Sequence, residues 1–195
     1  MWRYLIPIGV FGILVAFFFA GLGRDKQTLP SPLIGKPAPE FALPRLDDPS
    51  QIVSSKDFAG RKYVVNVWGP WCSGCQVEHA DLMRIASRKV VPIVGLTVPQ
   101  GALADKQGAP LPLEDVWSEI QLGLRWLREL GNPYDIAVFD QMWTTAIDFG
   151  VYGAPETFLV DEHGVVIHKH TGPIDVAAWE RDFLPKISSS GSTGG

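Results

Sequence analysis

The chain has 195 residues, 46% of them hydrophobic and 19% charged, with a net charge of −4. That is enough apolar material for one packed domain with extensions, and the acidic balance gives nucleic acid no basic surface to bind. It contains only two cysteines, and its four histidines show no metal-ligand spacing beyond His168-x-His170.

Residues 4–22 are uncharged and almost wholly apolar, close to the roughly 20 residues that span a bilayer as a helix. Trp2 and Tyr4 suit a headgroup interface, and Pro7 is expected in the first turn. A cleaved signal peptide is the alternative, but Phe18-Phe19-Ala20 is a poor small-x-small site, so an uncleaved anchor over 1–23 is expected. Arg3 before the span and Arg24 and Lys26 after it nearly balance, and the short N-terminal side favours export of the C-terminal domain. Residues 24–38, rich in Pro and polar residues, read as a linker.

The domain is expected over 39–187. Short strands at 41–44 and 51–53 flank an Asp47-Asp48-Pro49-Ser50 turn and form an N-terminal hairpin, closed by a turn at 57–60. Residues 64–67 form a buried strand, broken by Gly69-Pro70. Cys72 and Cys75 come next, and then a polar, periodic helix over about 76–89. Strand, tight turn, Cys-x-x-Cys and helix is the setting of dithiol redox chemistry. A helix N-terminus presents unpaired N–H groups and partial positive charge, which favour thiolate over thiol. Cys72 is then the exposed attacking sulfur and Cys75 the resolving one.

Three other readings of the pair stay open or fail on the residues themselves. Zinc would need His168 and His170 to complete four ligands. Haem attachment fails because Gln76, not His, stands directly after Cys75. A purely structural bridge would close too short a loop to stabilise much. His79, one turn beyond Cys75, leaves a fourth option: a soft-metal or haem-contacting set with both cysteines, against a surface or helix-capping histidine.

Residues 90–96 form the next strand, and the strand–helix–strand order implies a parallel pair with a right-handed crossover. After a loop at 97–112, a helix is expected over 113–130. Leu113, Val116, Trp117, Ile120, Leu124 and Leu127 share its inner face; Leu122 and Trp126 lie opposite, as scattered surface residues or a contact patch. Gly131-Asn132-Pro133 stops it. A strand at 136–139, a short helix at 144–149, a hairpin of 157–160 and 165–168, and an amphipathic helix at 174–187 complete the domain. The Ser/Gly tail, 188–195, is expected to be disordered.

Trp71-Cys72-Ser73-Gly74-Cys75 after an apolar strand, with Gly-Ala-Pro-Glu-Thr-Phe-Leu-Val at 153–160 before a hairpin, resembles the thioredoxin fold. Leu-Gly-Asn-Pro-Tyr at 130–134, the run at 150–157 and His-Thr-Gly-Pro at 170–173 narrow this to the DsbE (CcmG) family. The resemblance covers about 34–187. It implies an α/β thioredoxin-like fold, a central mixed sheet flanked by helices, with an N-terminal hairpin extension and one preceding transmembrane helix.

In function it implies a thiol-disulfide oxidoreductase of the bacterial inner membrane, its domain in the periplasm. Its activity would be to reduce the apocytochrome c haem-site disulfide, or that of a maturation factor. A membrane electron-transfer protein would recharge it, and no cofactor is implied beyond the Cys72–Cys75 disulfide. A broader thiol reductase, serving copper-site assembly for instance, and a tethered metal or haem carrier are the alternatives. The resemblance makes Pro155 a cis-proline beside the cysteines, leaving Ala154's backbone free to pair with an extended peptide. Glu156 becomes the nearby acid that handles the Cys75 proton and opposes a thiolate at Cys72. Trp71 flanks the sulfurs, Tyr152 joins the partner surface and Trp68 belongs to the core. Asn66 replaces the buried Asp of general thioredoxins, as in the DsbE group. Gly69-Pro70 departs from the family's small polar pair, and 97–112 is longer than usual beside the site.

Overall fold

The structure, a computed structural model, describes residues 2–22 and 32–189. The first segment is a single helix, α1 (Trp2–Leu22), in a unit of its own. It starts at Trp2, so Pro7 falls in the second turn rather than the first, where its ring removes one intrahelical bond. Phe11, Ile13, Phe17 and Phe18 are exposed along it. Among the described residues no helix is long and apolar enough to cross a membrane. Residues 24–31 of the expected linker (24–38) and 190–195 of the expected tail (188–195) lie outside the described residues, while Ser188 ends α6.

The second unit is built on a five-stranded sheet. Its strands are β3 (Tyr63–Trp68), β4 (Ile93–Thr97), β5 (Ile136–Phe139), β6 (Glu156–Val160) and β7 (Val166–Thr171), in the order β5-β4-β3-β6-β7. The β3–β4 and β4–β5 pairs are parallel; β3–β6 and β6–β7 are antiparallel. The sheet is therefore mixed, with helices against it. Every residue of β3 is buried, which is why it reads as an unbroken apolar run interrupted only by Asn66. Alternate residues feed two cores: Val64, Trp68 and Leu159 on one face, Val65, Val67 and Phe158 on the other.

The N-terminal hairpin is present as β1 (Ala42–Pro44) and β2 (Ile52–Ser54). Asp48 organises its turn by accepting from the Ser50 amide and hydroxyl and from Gln51. Arg45 bridges to Val138, and the Leu46 N–H donates to Ala137, so the hairpin end covers the β5 edge. Residues 35–38, assigned to the linker by composition, are bonded into the β6–β7 hairpin: Gly35 and Ala38 donate to Val166 and Gly164.

Four features differ from expectation. First, α2 (Ser73–Ser87) starts three residues earlier than read, taking Cys75 into its first turn. Second, α3 (Trp117–Leu130) begins at Trp117, and the residues before it form a turn in which the Asp115 N–H donates to the Pro112 carbonyl. Its rotation also differs: Ile120, Gly123 and Leu127 face inward, and Leu113 and Trp117 are exposed. Gly123 sets this, since its missing side chain admits Leu46, which a Cβ would meet at 3.3 Å. Third, Trp126 is no surface residue; it is buried, while Leu122 stays exposed. Fourth, the C-terminal helix is three pieces: α5 (Val176–Ala178), a π-helical turn (Trp179–Phe183) and α6 (Leu184–Ser188). Pro185 has no N–H for the normal ladder, and the turn before it widens until Leu184 donates to Trp179, five residues back. The remaining helix, α4 (Thr144–Asp148), is close to where it was expected.

Candidate active site

Cys72 is the N-cap of α2, in an extended conformation, and its Sγ accepts from the Cys75 N–H at 3.1 Å. The two cysteines form a disulfide with Cα atoms 5.3 Å apart. Unpaired amides and the positive end of the helix dipole therefore converge on Cys72, the arrangement that stabilises sulfur as a thiolate. The expected exposure is not found: Cys72 is 3% exposed. In the disulfide it is packed into the same cluster as Trp68 and Ile174, with half-buried Ala154 at the cluster's edge.

The Ala154–Pro155 bond is cis. The Pro155 ring lies against the helix start, where a Cβ on Gly74 would meet Pro155 Cδ at 2.8 Å. Gly74 is thus what lets the proline approach the space between the cysteines. Among the described residues no hydrogen bond engages the N–H or C=O of Ala154. Trp71 is 38% exposed and its indole donates to Val98 O at 2.9 Å. Tyr152 is almost fully exposed, with the Lys169 ammonium 5.6 Å from its ring centre.

Glu156 lies elsewhere than the sequence reading put it. Asn66 pairs with Thr157 across the β3–β6 ladder, and their side chains meet on the α2 face at 3.0 Å. Glu156, one residue earlier, points to the opposite face. There it is buried and ion-paired with Lys169 at 2.8 Å, which also spans to the Gly150 carbonyl.

The acid on the cysteine side is Glu78, one helical turn after Cys75 and 2% exposed. Burial pushes its carboxyl up to about 7, against hydrogen bonds from the Ile174 amide and Asn66 that pull it back. Those donors stand at 2.9 Å and 3.1 Å. The Tyr134 hydroxyl donates to Asn66 Oδ1 at 2.8 Å, which fixes the amide so that its NH2 faces Glu78. Burial and the nearby Glu78 raise Tyr134 well above its usual range, so it stays a donor. Sequence reasoning passed over Glu78 as one polar residue in a polar helix. The available signal was its spacing: three residues after Cys75, it must share the buried face.

His79 does not join the cysteines. Its Nδ1 accepts from the Trp126 indole at 3.2 Å, so its Nε2 carries the proton and donates to the Leu130 and Gly131 carbonyls at 3.2 and 3.1 Å. It caps the end of α3, with both ring nitrogens occupied. His168 packs edge-on against Phe183, and burial lowers it to about 4; His170 faces the Pro173 carbonyl. Among the described residues no group of three or more His, Cys, Asp or Glu could hold a metal ion.

Residues 33–182 match the Redoxin family. The chain is 40% identical over 187 residues to the thiol:disulfide interchange protein DsbE of Allochromatium vinosum, covering 95% of this chain and 93% of the relative. It is 40% identical to the DsbE of Pseudomonas aeruginosa, over 93% and 90% of the two chains. Among solved structures, a DsbF homologue from Corynebacterium diphtheriae superposes with a TM-score of 0.60 at 19% identity, covering 85% of this chain and 92% of that one. The last comparison speaks for the fold, which is thioredoxin-like. With sequence similarity running nearly the full length and a Cys-x-x-Cys pair at the start of α2, the chain is a thiol:disulfide oxidoreductase that belongs to the Redoxin family and, within it, to the DsbE proteins.

Proposed function

We propose that the protein is a reductant acting in cytochrome c maturation, on the haem-site disulfide of apocytochrome c or of a maturation factor that carries it. The placement of Cys72 Sγ at the N-cap of α2 with Pro155 packed on Gly74 supports disulfide exchange, and the resemblance to the DsbE family supports the reducing direction and the client. In the reduced protein the Cys72 thiolate attacks one sulfur of the partner disulfide, and the other sulfur leaves as a thiolate and takes a proton. Cys75, deprotonated, then attacks Cys72 and releases the partner's second thiol. Two electrons and two protons pass to the partner, and the protein is left with the Cys72–Cys75 disulfide. A membrane electron-transfer protein restores the dithiol.

Glu78 takes the role first given to Glu156. It is buried beside the resolving cysteine's helix turn and titrates near neutrality, which suits a group that accepts the Cys75 proton. Glu156 instead holds Lys169 beneath Tyr152. Ala154's unengaged backbone, Trp71 and Tyr152 form the surface on which an extended client lies, alongside Pro155. Attachment to the bacterial inner membrane, with the domain in the periplasm, is supported by the exposed apolar side chains along α1. The metal-carrier alternative loses its third ligand, because both nitrogens of His79 are bonded within the protein.

The test is capture in native membranes with Cys75→Ser. The expected product is a mixed disulfide between Cys72 and a c-type cytochrome precursor or its maturation factor. Capture of copper-site proteins instead would move the assignment to the broader reductase.

A further inference from the structure

Trp143 has φ +62°, in the left-handed region, although it carries the bulkiest of side chains. It precedes α4 and makes no side-chain cap, so helix initiation does not explain the residue. Its side chain packs partly buried against the core, its N–H is bonded to Asp140 O, and two further contacts orient the indole. Its indole N–H donates to Pro99 O at 2.9 Å, and its ring lies 6.0 Å from the ring of Trp71. Trp71 donates to Val98 O, the carbonyl immediately before Pro99, at the same distance. The Val98 N–H is in turn bonded to Trp68 O at the end of β3. Two successive carbonyls of one loop thus grip two indoles from distant parts of the chain. Gly69 makes the room: a Cβ there would meet Val98 O at 2.6 Å and overlap the Trp71 indole. This accounts for a glycine at a position where the family resemblance anticipated a small polar residue.

We propose that Trp143 is a positioning residue for disulfide exchange with peptide clients, acting through Trp71. It fixes the Trp71 indole as a flat apolar shelf next to Cys72. The inference rests on the proposed function, in which Cys72 exchanges with an extended polypeptide. With Cys72 only 3% exposed, a client sulfur has a narrow line of approach, and the shelf decides how often a peptide arrives along it. A small disulfide has no chain to align and does not need the shelf.

The experiment uses the full-length chain in detergent, with Trp143→Gly, which suits the backbone at φ +62°, and Trp143→Phe, which keeps a ring but loses the bond to Pro99. The probes are a synthetic peptide closed by a Cys-x-x-Cys-His disulfide and oxidised glutathione. For Trp143→Gly the peptide kcat/KM is expected to fall about five-fold relative to the glutathione rate, through KM, with a lowered melting temperature because packing on the core and the bond to Pro99 are lost. Trp143→Phe is expected to fall by a smaller factor in the same ratio, which also decides the matter if the glycine variant does not fold. An unchanged peptide-to-glutathione ratio in the folded variants overturns the inference and leaves the proposed function intact. A wild-type chain inert toward the peptide overturns both.

Discussion

Glu78→Gln is the substitution whose consequences can be worked furthest from the structure. Burial raises the folded-state value from the ordinary 4.5 to about 7. A carboxyl raised in this way binds a proton in the folded state that it has already lost in the unfolded state. Its contribution to stability is present below about 4.5 and is lost as pH rises through about 7. The interval corresponds to about 3 kcal/mol. His168 acts in the opposite sense: lowered to about 4 by burial, it costs stability as pH falls from 6.5, by less than its full shift because the ring is partly solvated. In the wild type the two slopes oppose each other between about pH 4.5 and 6.5. Glutamine removes the first slope and leaves the second. It also offers one acceptor where Asn66 and Ile174 both donate, at a cost of about 1–3 kcal/mol. The variant is therefore expected to be less stable than wild type at pH 4.5 and equal or more stable at pH 8. The difference swings by about 3 kcal/mol. Urea unfolding of the oxidised protein at a series of pH values, with unchanged m, measures it. Asp140, also raised by burial, is common to both proteins and drops out of the comparison. A stability difference constant from pH 4.5 to 8 would refute the placement of Glu78 as a buried, neutral-range acid.

Other perturbations test neighbouring parts of the account. Gly74→Ala sets a Cβ 2.8 Å from Pro155 Cδ, a ring atom that cannot swing aside; thermal unfolding should show a loss of about 1–2 kcal/mol, and disulfide exchange should slow. Lys169→Met strands the Glu156 carboxylate in the core and should cost about 3–5 kcal/mol by urea unfolding, with Glu156→Gln added to it recovering part of the loss. His79→Ala frees the carbonyls of Leu130 and Gly131 and the Trp126 indole, costing about 2–3 kcal/mol, while zinc titration of the reduced protein should be unaltered.

The elements nearest the cysteines were the most legible, because each is declared by local chemistry. The apolar run of β3, the Gly-Pro break and the cysteine spacing need no tertiary context, although α2 starts three residues before the segment read as helix, directly after Cys72, which caps it. Pro155 packs on Gly74 at the start of α2, and the Trp71 indole is bonded to the Val98 carbonyl. What was missed depends on partners distant in sequence. The face that α3 presents is set by Leu46 lying over Gly123, and Trp126 is buried through His79 on another helix. Glu156 and Glu78 carry the same side chain, and strand alternation, with the register against Asn66, separates their roles. The left-handed backbone of Trp143 has no signal in its own residue type, which argues against such a conformation. The π-helical turn had a local cue in Pro185, but the periodicity around it stays helical.

The reductant assignment turns on how strongly the folded chain holds electrons on its two sulfurs, and an equilibrium redox titration of Cys72 and Cys75 in the purified protein measures that directly. The account predicts a potential more reducing than about −180 mV, the level of protein disulfide isomerase. A value near about −120 mV, that of a strong periplasmic oxidant, would contradict it.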